Sequence, residues 1–148
     1  MTHAVRSMEY DLARVLLVDD DPTSRLTLKT LLEASGYNVD SAASAAEAVG
    51  KLEEFTYELV LSDLQMESPQ AGLKVLAHAR MMDYKPAAAL ITKQRTEASD
   101  PQVANGNEDQ TSVLIKPVDV PGFLGKVAAL ISQRATRKMQ RELRLAGA

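Results

Sequence analysis

Cysteine is absent from the 148-residue chain, which excludes disulfides, cysteine-ligated zinc and thiol catalysis. The two histidines, His3 and His78, have no companions at ligand spacing, so both are expected to be structural or exposed. Long hydrophobic runs are missing as well: nothing approaches the roughly 20 apolar residues of a membrane span, and the first residues lack the uninterrupted apolar stretch of a signal peptide. These absences lead to the expectation of a cytoplasmic protein with no membrane contact. There is no glycine-rich phosphate loop and no nucleophile elbow, and the methionines at 8, 66, 81, 82 and 139 form no stripe that would suit a cofactor.

What is present is enough apolar residue, 45%, to build one domain around one core. The net charge of -3 is unevenly spread. Residues 132 to 148 carry Arg134, Arg137, Lys138, Arg141 and Arg144 against Glu142, a surplus of four positive charges that leaves the rest of the chain at -7. An acidic body is a poor nucleic-acid surface, and no helix-turn-helix or catalytic output module follows, so direct nucleic-acid binding is not expected.

The apolar runs alternate with helical patterns. Residues 1 to 13 show no periodicity and read as an N-terminal arm. Val15 to Val18 is a first strand, ended by Asp19, Asp20 and Asp21; Asp21 before Pro22 reads as a helix N-cap with proline at the first helical position. That helix carries Leu28, Leu31 and Leu32 inward, leaves Leu26 off the stripe, and ends at Gly36. Tyr37 to Ala42 is a second strand, and Ser44 with Glu47 forms a capping box for a helix with Ala45, Ala48, Val49 and Leu52 on one face. Tyr57 to Ser62 is the third strand. Its segment LVLSD stops at Asp63, and after a loop a helix runs from Gly72 to about Met82 with Val75, Leu76 and Ala79 inward. Ala87 to Ile91 and Ser112 to Ile115 are the fourth and fifth strands, ending at Thr92 and Lys116. Between them, residues 94 to 111 are polar and broken by Pro101 and Gly106, so the fourth helix is expected to be atypical or poorly formed. A last helix places Val120, Phe123, Leu124, Val127, Leu130 and Ile131 at core spacing. It is expected to continue into a basic extension over 134–148, read as a linker, a docking helix or part of a homodimer.

Such alternation predicts an α/β fold, a doubly wound five-stranded parallel sheet of flavodoxin-like order 2-1-3-4-5. In that order the first and third strands are neighbours, and Asp19, Asp20 and Asp63 meet at one rim. Each has a plain structural explanation in isolation, as a polar turn or a cap. Together they form a set of carboxylates that only a cation can neutralise, and oxygen ligands without His or Cys suit Mg²⁺. Thr92 and Lys116 end strands facing the same crevice. The set suits a phosphoryl group attacked by Asp63, with Thr92 donating to an oxygen and Lys116 offsetting charge.

Over residues 14 to 133 the chain resembles the receiver domain of two-component response regulators, through VLLVDDDP, LVLSDLQM, LIT and IKP in order at the ends of strands one, three, four and five. The resemblance implies a phosphoacceptor module in which Asp63 takes a phosphoryl group from a histidine kinase or phosphotransfer protein and a downstream protein reads the change. It implies Mg²⁺ held by Asp20 and Asp63, by Asp19 through water and by the backbone carbonyl of Gln65. Thr92 and Lys116 are the switch hydroxyl and the phosphate-sensing lysine, and the Lys116–Pro117 bond is cis. Gln65 and Gln94 would flank the phosphoryl group.

The chain departs from the pattern at Glu67 in place of proline, at a lengthened loop before Gly72, at Ala71 in place of an acid, at Lys93 in place of a small residue, and at Val113 in place of an aromatic. Two other classes stay open: a receiver-like binding domain that works without phosphate, and a Mg²⁺-dependent phosphohydrolase. Against the latter, Gln65 stands where a second acid would act, and a multiple-turnover enzyme is not expected.

Overall fold

The computed structural model describes residues 13–93, 112–116 and 119–147. The segment expected to hold a poorly formed helix, residues 94–111, lies outside these, as do Gln94, Pro117 and most of the N-terminal arm. In chain order the elements are β1 (Arg14–Val18), α1 (Pro22–Ala34), β2 (Asn38–Ala42), α2 (Ala45–Glu54), β3 (Leu59–Asp63), α3 (Ala71–Arg80), β4 (Ala87–Thr92), β5 (Ser112–Ile115) and α4 (Val120–Gly147). The strands form one parallel sheet in the order β2-β1-β3-β4-β5.

β1, β3 and β4 are largely apolar because helices cover both faces, whereas the edge strand β2, Asn38–Ala42, is mixed; alternate side chains enter two different cores. Val15, Leu17, Leu59, Leu61, Ala89, Ile91 and Leu114 meet Leu28 and Leu32 of α1 and Phe123 and Val127 of α4. Leu16, Val18 and Val60 point the other way, onto Ala48 and Leu52 of α2 and Val75 and Ala79 of α3. Val113 joins a smaller cluster beside Leu64, Leu76 and Leu90.

Local chemistry sets the helix ends. Asp21 caps α1 by accepting from the Thr23 backbone N–H at 3.3 Å, with Pro22 at the first helical position, and Gly36 leaves the helix with φ of 101°, a conformation glycine adopts without cost. Ser44 Oγ accepts from the Glu47 N–H at 3.1 Å. The return half of this box differs from the simple pattern, since the Glu47 carboxylate accepts from Ala43 N–H at 2.8 Å, one residue ahead of the cap. Glu67 accepts from the Ala45 N–H at 3.0 Å. The residue that departs from the receiver pattern thus satisfies a free donor in the first turn of α2.

Two expectations are corrected. β3 begins at Leu59, two residues later than the pattern suggested, and takes in Asp63; Tyr57 is buried just ahead of it, its hydroxyl donating to Asp40 at 2.7 Å. Val120 is 41% exposed rather than in the core, because it lies in the first turn of α4, ahead of Phe123, where the sheet begins to cover the helix. Arg134, the first residue of the expected basic extension, is buried. It donates through Nε to Lys85 O at 3.0 Å and through Nη2 to Tyr84 O at 2.7 Å. α4 passes this point without a break and reaches Gly147.

The loop after β3 is held against α3. The Leu64 N–H donates to Ile91 O at 2.9 Å and the Gly72 N–H to Leu64 O at 3.0 Å. A Cβ on Gly72 would press on Asp63 O and lie 2.7 Å from Leu64 Cα, both rigid backbone atoms. Gly72→Ala is therefore expected to destabilise the fold by about 1–3 kcal/mol, seen as a fall in the midpoint of thermal unfolding; an unchanged midpoint contradicts this packing.

Candidate functional site

β1 and β3 are adjacent, with Val15 to Val18 in register against Leu59 to Ser62, so the residues just past their carboxyl ends share one rim. Oxygens of Asp19, Asp20 and Asp63 lie within 4.8 Å of one another, and among the described residues no other cluster of His, Asp or Glu could hold a metal. Asp19 and Asp63 are buried and Asp20 is exposed. The sheet, rather than any local motif, makes this cluster: residues more than forty positions apart in sequence meet because parallel pairing puts equivalent ends side by side.

Lys116 enters from the end of β5. Its N–H donates to Thr92 O at 2.7 Å, extending the β4–β5 ladder past the strand, and its ammonium reaches Asp19 Oδ2 at 2.8 Å and Asp63 Oδ2 at 3.6 Å. Thr92 itself is buried at the end of β4. Gln65 is exposed, two residues past Asp63. The structure thus gathers Asp19, Asp20, Asp63, Thr92 and Lys116 at the carboxyl ends of four strands.

Two participants escaped the sequence reading. Ser24 Oγ donates to Asp19 Oδ2 at 2.6 Å and accepts from Lys116 Nζ at 2.9 Å. Arg25 donates to Asp19 O at 2.8 Å. A signal existed, since both sit in the first turn of a helix that starts three residues after Asp19, where side chains turn back toward the helix N-terminus.

The two buried acids are tuned in opposite directions. Burial pushes Asp19 up, but hydrogen bonds from Lys116, Ser24 and the Asp21 N–H outweigh it and hold the carboxyl below the ordinary range. Asp63 is pushed up by burial, and the charges of Asp19 and Asp20 add to this while Lys116 opposes it. Asp19 is therefore a fixed anion wired to its neighbours, and Asp63 is the less satisfied carboxylate, the one with most to gain from a further cation. The donors are all hard oxygens, the chemistry Mg²⁺ requires. His78, by contrast, pairs with Glu53 at 2.7 Å away from this rim.

Comparison with known proteins gives the family and the fold. The family model described as the response regulator receiver domain matches residues 15–128. The transcriptional regulatory protein GlrR of Escherichia coli K12 is 30% identical over 128 residues, which cover 86% of this chain and 28% of GlrR; the chain spans only about a quarter of that relative's length. Among solved structures, a CheY-like receiver domain protein from Methanospirillum hungatei superposes with a TM-score of 0.74 at 23% identity, covering 86% of this chain and 99% of that one. The response regulator TrrA from Thermotoga maritima, in complex with Mg²⁺ and BeF, superposes with a TM-score of 0.68 at 28% identity, covering 80% and 99%. The acid-lined rim on a 2-1-3-4-5 parallel sheet, together with a family match over most of its length, makes this chain a member of the response regulator receiver domain family of two-component systems.

Proposed function

We propose that the chain is a phosphoacceptor signalling module: Asp63 takes a phosphoryl group from a histidine kinase or phosphotransfer protein in the cytoplasm, and the change at the rim alters binding to a downstream protein. The observation that carries this reading is the convergence of Asp19, Asp20 and Asp63 within 4.8 Å beside a lysine that reaches two of them. Such a rim holds charge that a cation and a phosphoryl group can use.

In the transfer, a carboxylate oxygen of Asp63 attacks phosphorus. The new O–P bond forms as the donor's N–P bond breaks, and the leaving imidazole keeps the electron pair and takes up a proton. Thr92 donates its hydroxyl to a phosphoryl oxygen, and Lys116, already 3.6 Å from Asp63 Oδ2, offsets negative charge on another. Asp20, Asp63 and the Gln65 carbonyl, with Asp19 through water, would hold Mg²⁺, which when bound would supply positive charge to offset an incoming anion beside three acids. Multiple turnover is not part of this function, because Gln65 offers no carboxylate for a second acid–base step.

A second reading, a binding domain that works without phosphate, is favoured by one observation: Lys116 already bridges Asp19 and Asp63, so the rim is partly neutralised without any ligand. Incubating the full chain with a small phosphodonor and Mg²⁺ separates the two. The phosphoacceptor reading predicts a mass gain of one phosphoryl group that Asp63→Asn abolishes. No gain favours the binding domain, and sustained phosphate release over many turnovers contradicts both.

The tuning of Asp63 has a consequence for stability. A carboxyl whose pKa is raised on folding costs stability once it ionises, a cost fully present above its folded pKa and gone below its unfolded value. In metal-free buffer Asp63→Asn is therefore expected to unfold at a higher temperature than the parent at pH 7.5, with the gap narrowing as the pH falls through the raised pKa toward the ordinary carboxylate range. A lower midpoint for the variant at pH 7.5 contradicts the assignment of Asp63 as the strained acid.

Lys116→Met leaves Asp19 and Asp63 without their cation, and removing one partner of a buried pair costs about 3–5 kcal/mol. The loss should be largest without Mg²⁺ and be largely restored by adding it, as thermal melts in EDTA and in excess Mg²⁺ will read. Equal loss in both buffers contradicts a shared role for the lysine and the metal.

A further inference from the structure

One seam of α4 runs through positions spaced alternately four and three residues apart. On it Phe123 and Val127 are buried and Leu130 packs partly against the sheet; beyond them the same spacing falls on Arg134, Arg137, Arg141 and Arg144. Positions at this spacing keep to one side of a helix. The side of α4 that packs on the body therefore becomes a row of guanidinium groups toward its C-terminal end.

The first of these, Arg134, is spent on structure. Its two hydrogen bonds to Tyr84 O and Lys85 O clamp a turn in which Lys85 has φ of 46°, a region that residues with long side chains seldom enter. That turn sets Lys85 at the edge of a cavity of about 580 Å³, between the first residues of β4 and β5 and the inner side of α4, which Arg80, Arg137, Arg141, Ser112 and Leu130 also line. Among the described residues no carboxylate lines it. Lys138, on another side of the helix, pairs with Glu142 at 3.0 Å, whereas Arg137 and Arg141 have no such partner among the described residues.

Cations gathered around a concavity raise the local positive potential, and guanidinium forks match phosphate oxygens. The volume falls within the range of small-ligand sites, roughly 300–1,000 Å³, and a recess of this kind receives a small molecule rather than a duplex. Lys85, Arg137 and Arg141 bring three charges, more than one phosphate group neutralises, which selects an anion with linked phosphates. The site is also separate from the acid rim, since β4 spans the distance between them, about 17 Å for five residue steps.

We propose that this cavity binds a small polyphosphate, the pyrophosphate moiety being the recognised group, whether free or carried by a nucleoside. Calorimetric titration of the full chain in EDTA-containing, Mg²⁺-free buffer with inorganic pyrophosphate, ATP and orthophosphate tests it. Pyrophosphate is expected to bind, and orthophosphate at least about tenfold more weakly, having lost charge-assisted contacts. The variant Arg137→Gln/Arg141→Gln, at positions where glutamine keeps the helix, should weaken pyrophosphate at least about tenfold with an unchanged circular dichroism spectrum. Asp63→Asn should leave it unaltered.

ATP binding more tightly than pyrophosphate supports the site and identifies the nucleoside-bearing source; equal affinity supports it and identifies the pyrophosphate group alone. No pyrophosphate binding up to about 5 mM, orthophosphate binding as tightly as pyrophosphate, or an unchanged affinity in the double variant overturns the proposal.

Discussion

Mutual repulsion among three carboxylates is the constraint that the rest of this structure answers. Asp19, Asp20 and Asp63 come within 4.8 Å of one another because parallel strands end side by side, and nothing local to either segment would hold them there. The sheet core supplies the holding force: β3 is buried along its length and β1 from Val15 onward, and a register slip of one residue would turn every side chain to the other face. The electrostatic answer comes from α1 and β5, whose Ser24 and Lys116 satisfy Asp19 and leave Asp63 the acid that a further cation would relieve.

Much of this was legible in the residues alone, for a physical reason. A strand buried on both faces is a continuous apolar run, and a carboxylate, hydroxyl or lysine that stops such a run must sit at its end, so Asp19, Asp63, Thr92 and Lys116 announced their positions. Helix ends were equally readable where a single residue sets them, as the Asp21 side chain does at one end of α1 and the left-handed Gly36 past the other. The interactions that escaped depend on three-dimensional reach. Arg134 opens the basic run that follows the apolar positions Phe123, Val127 and Leu130, and it is buried because two carbonyls of the turn after α3 lie opposite. Glu67 read as a loop irregularity, and its role as a donor's partner in the first turn of α2 follows only from how two βα loops meet. Ser24 was hidden by the stronger signal of the neighbouring cap.

Among the described residues the two poles of the sheet differ in sign. At the carboxyl ends of the strands the surface is acidic and internally bridged by one lysine; at the amino ends of β4 and β5 it is lined by arginine and lysine, with the long α4 running past it. An uneven charge distribution that composition reveals only as a basic tail is, in the folded chain, a division between two ends of one body. The acidic pole lies within residues 15–128, which the receiver family matches, while the arginine seam belongs to the part of α4 that continues beyond them.

The central claim is that the gathered acids form one cation site on the folded chain. Isothermal titration of the metal-free chain with Mg²⁺ tests it most directly: one ion is expected to bind per chain, with binding lost in Asp20→Asn while that variant stays folded. Absence of Mg²⁺ uptake by the parent chain, or an affinity that the Asp20 substitution leaves unchanged, would contradict the account.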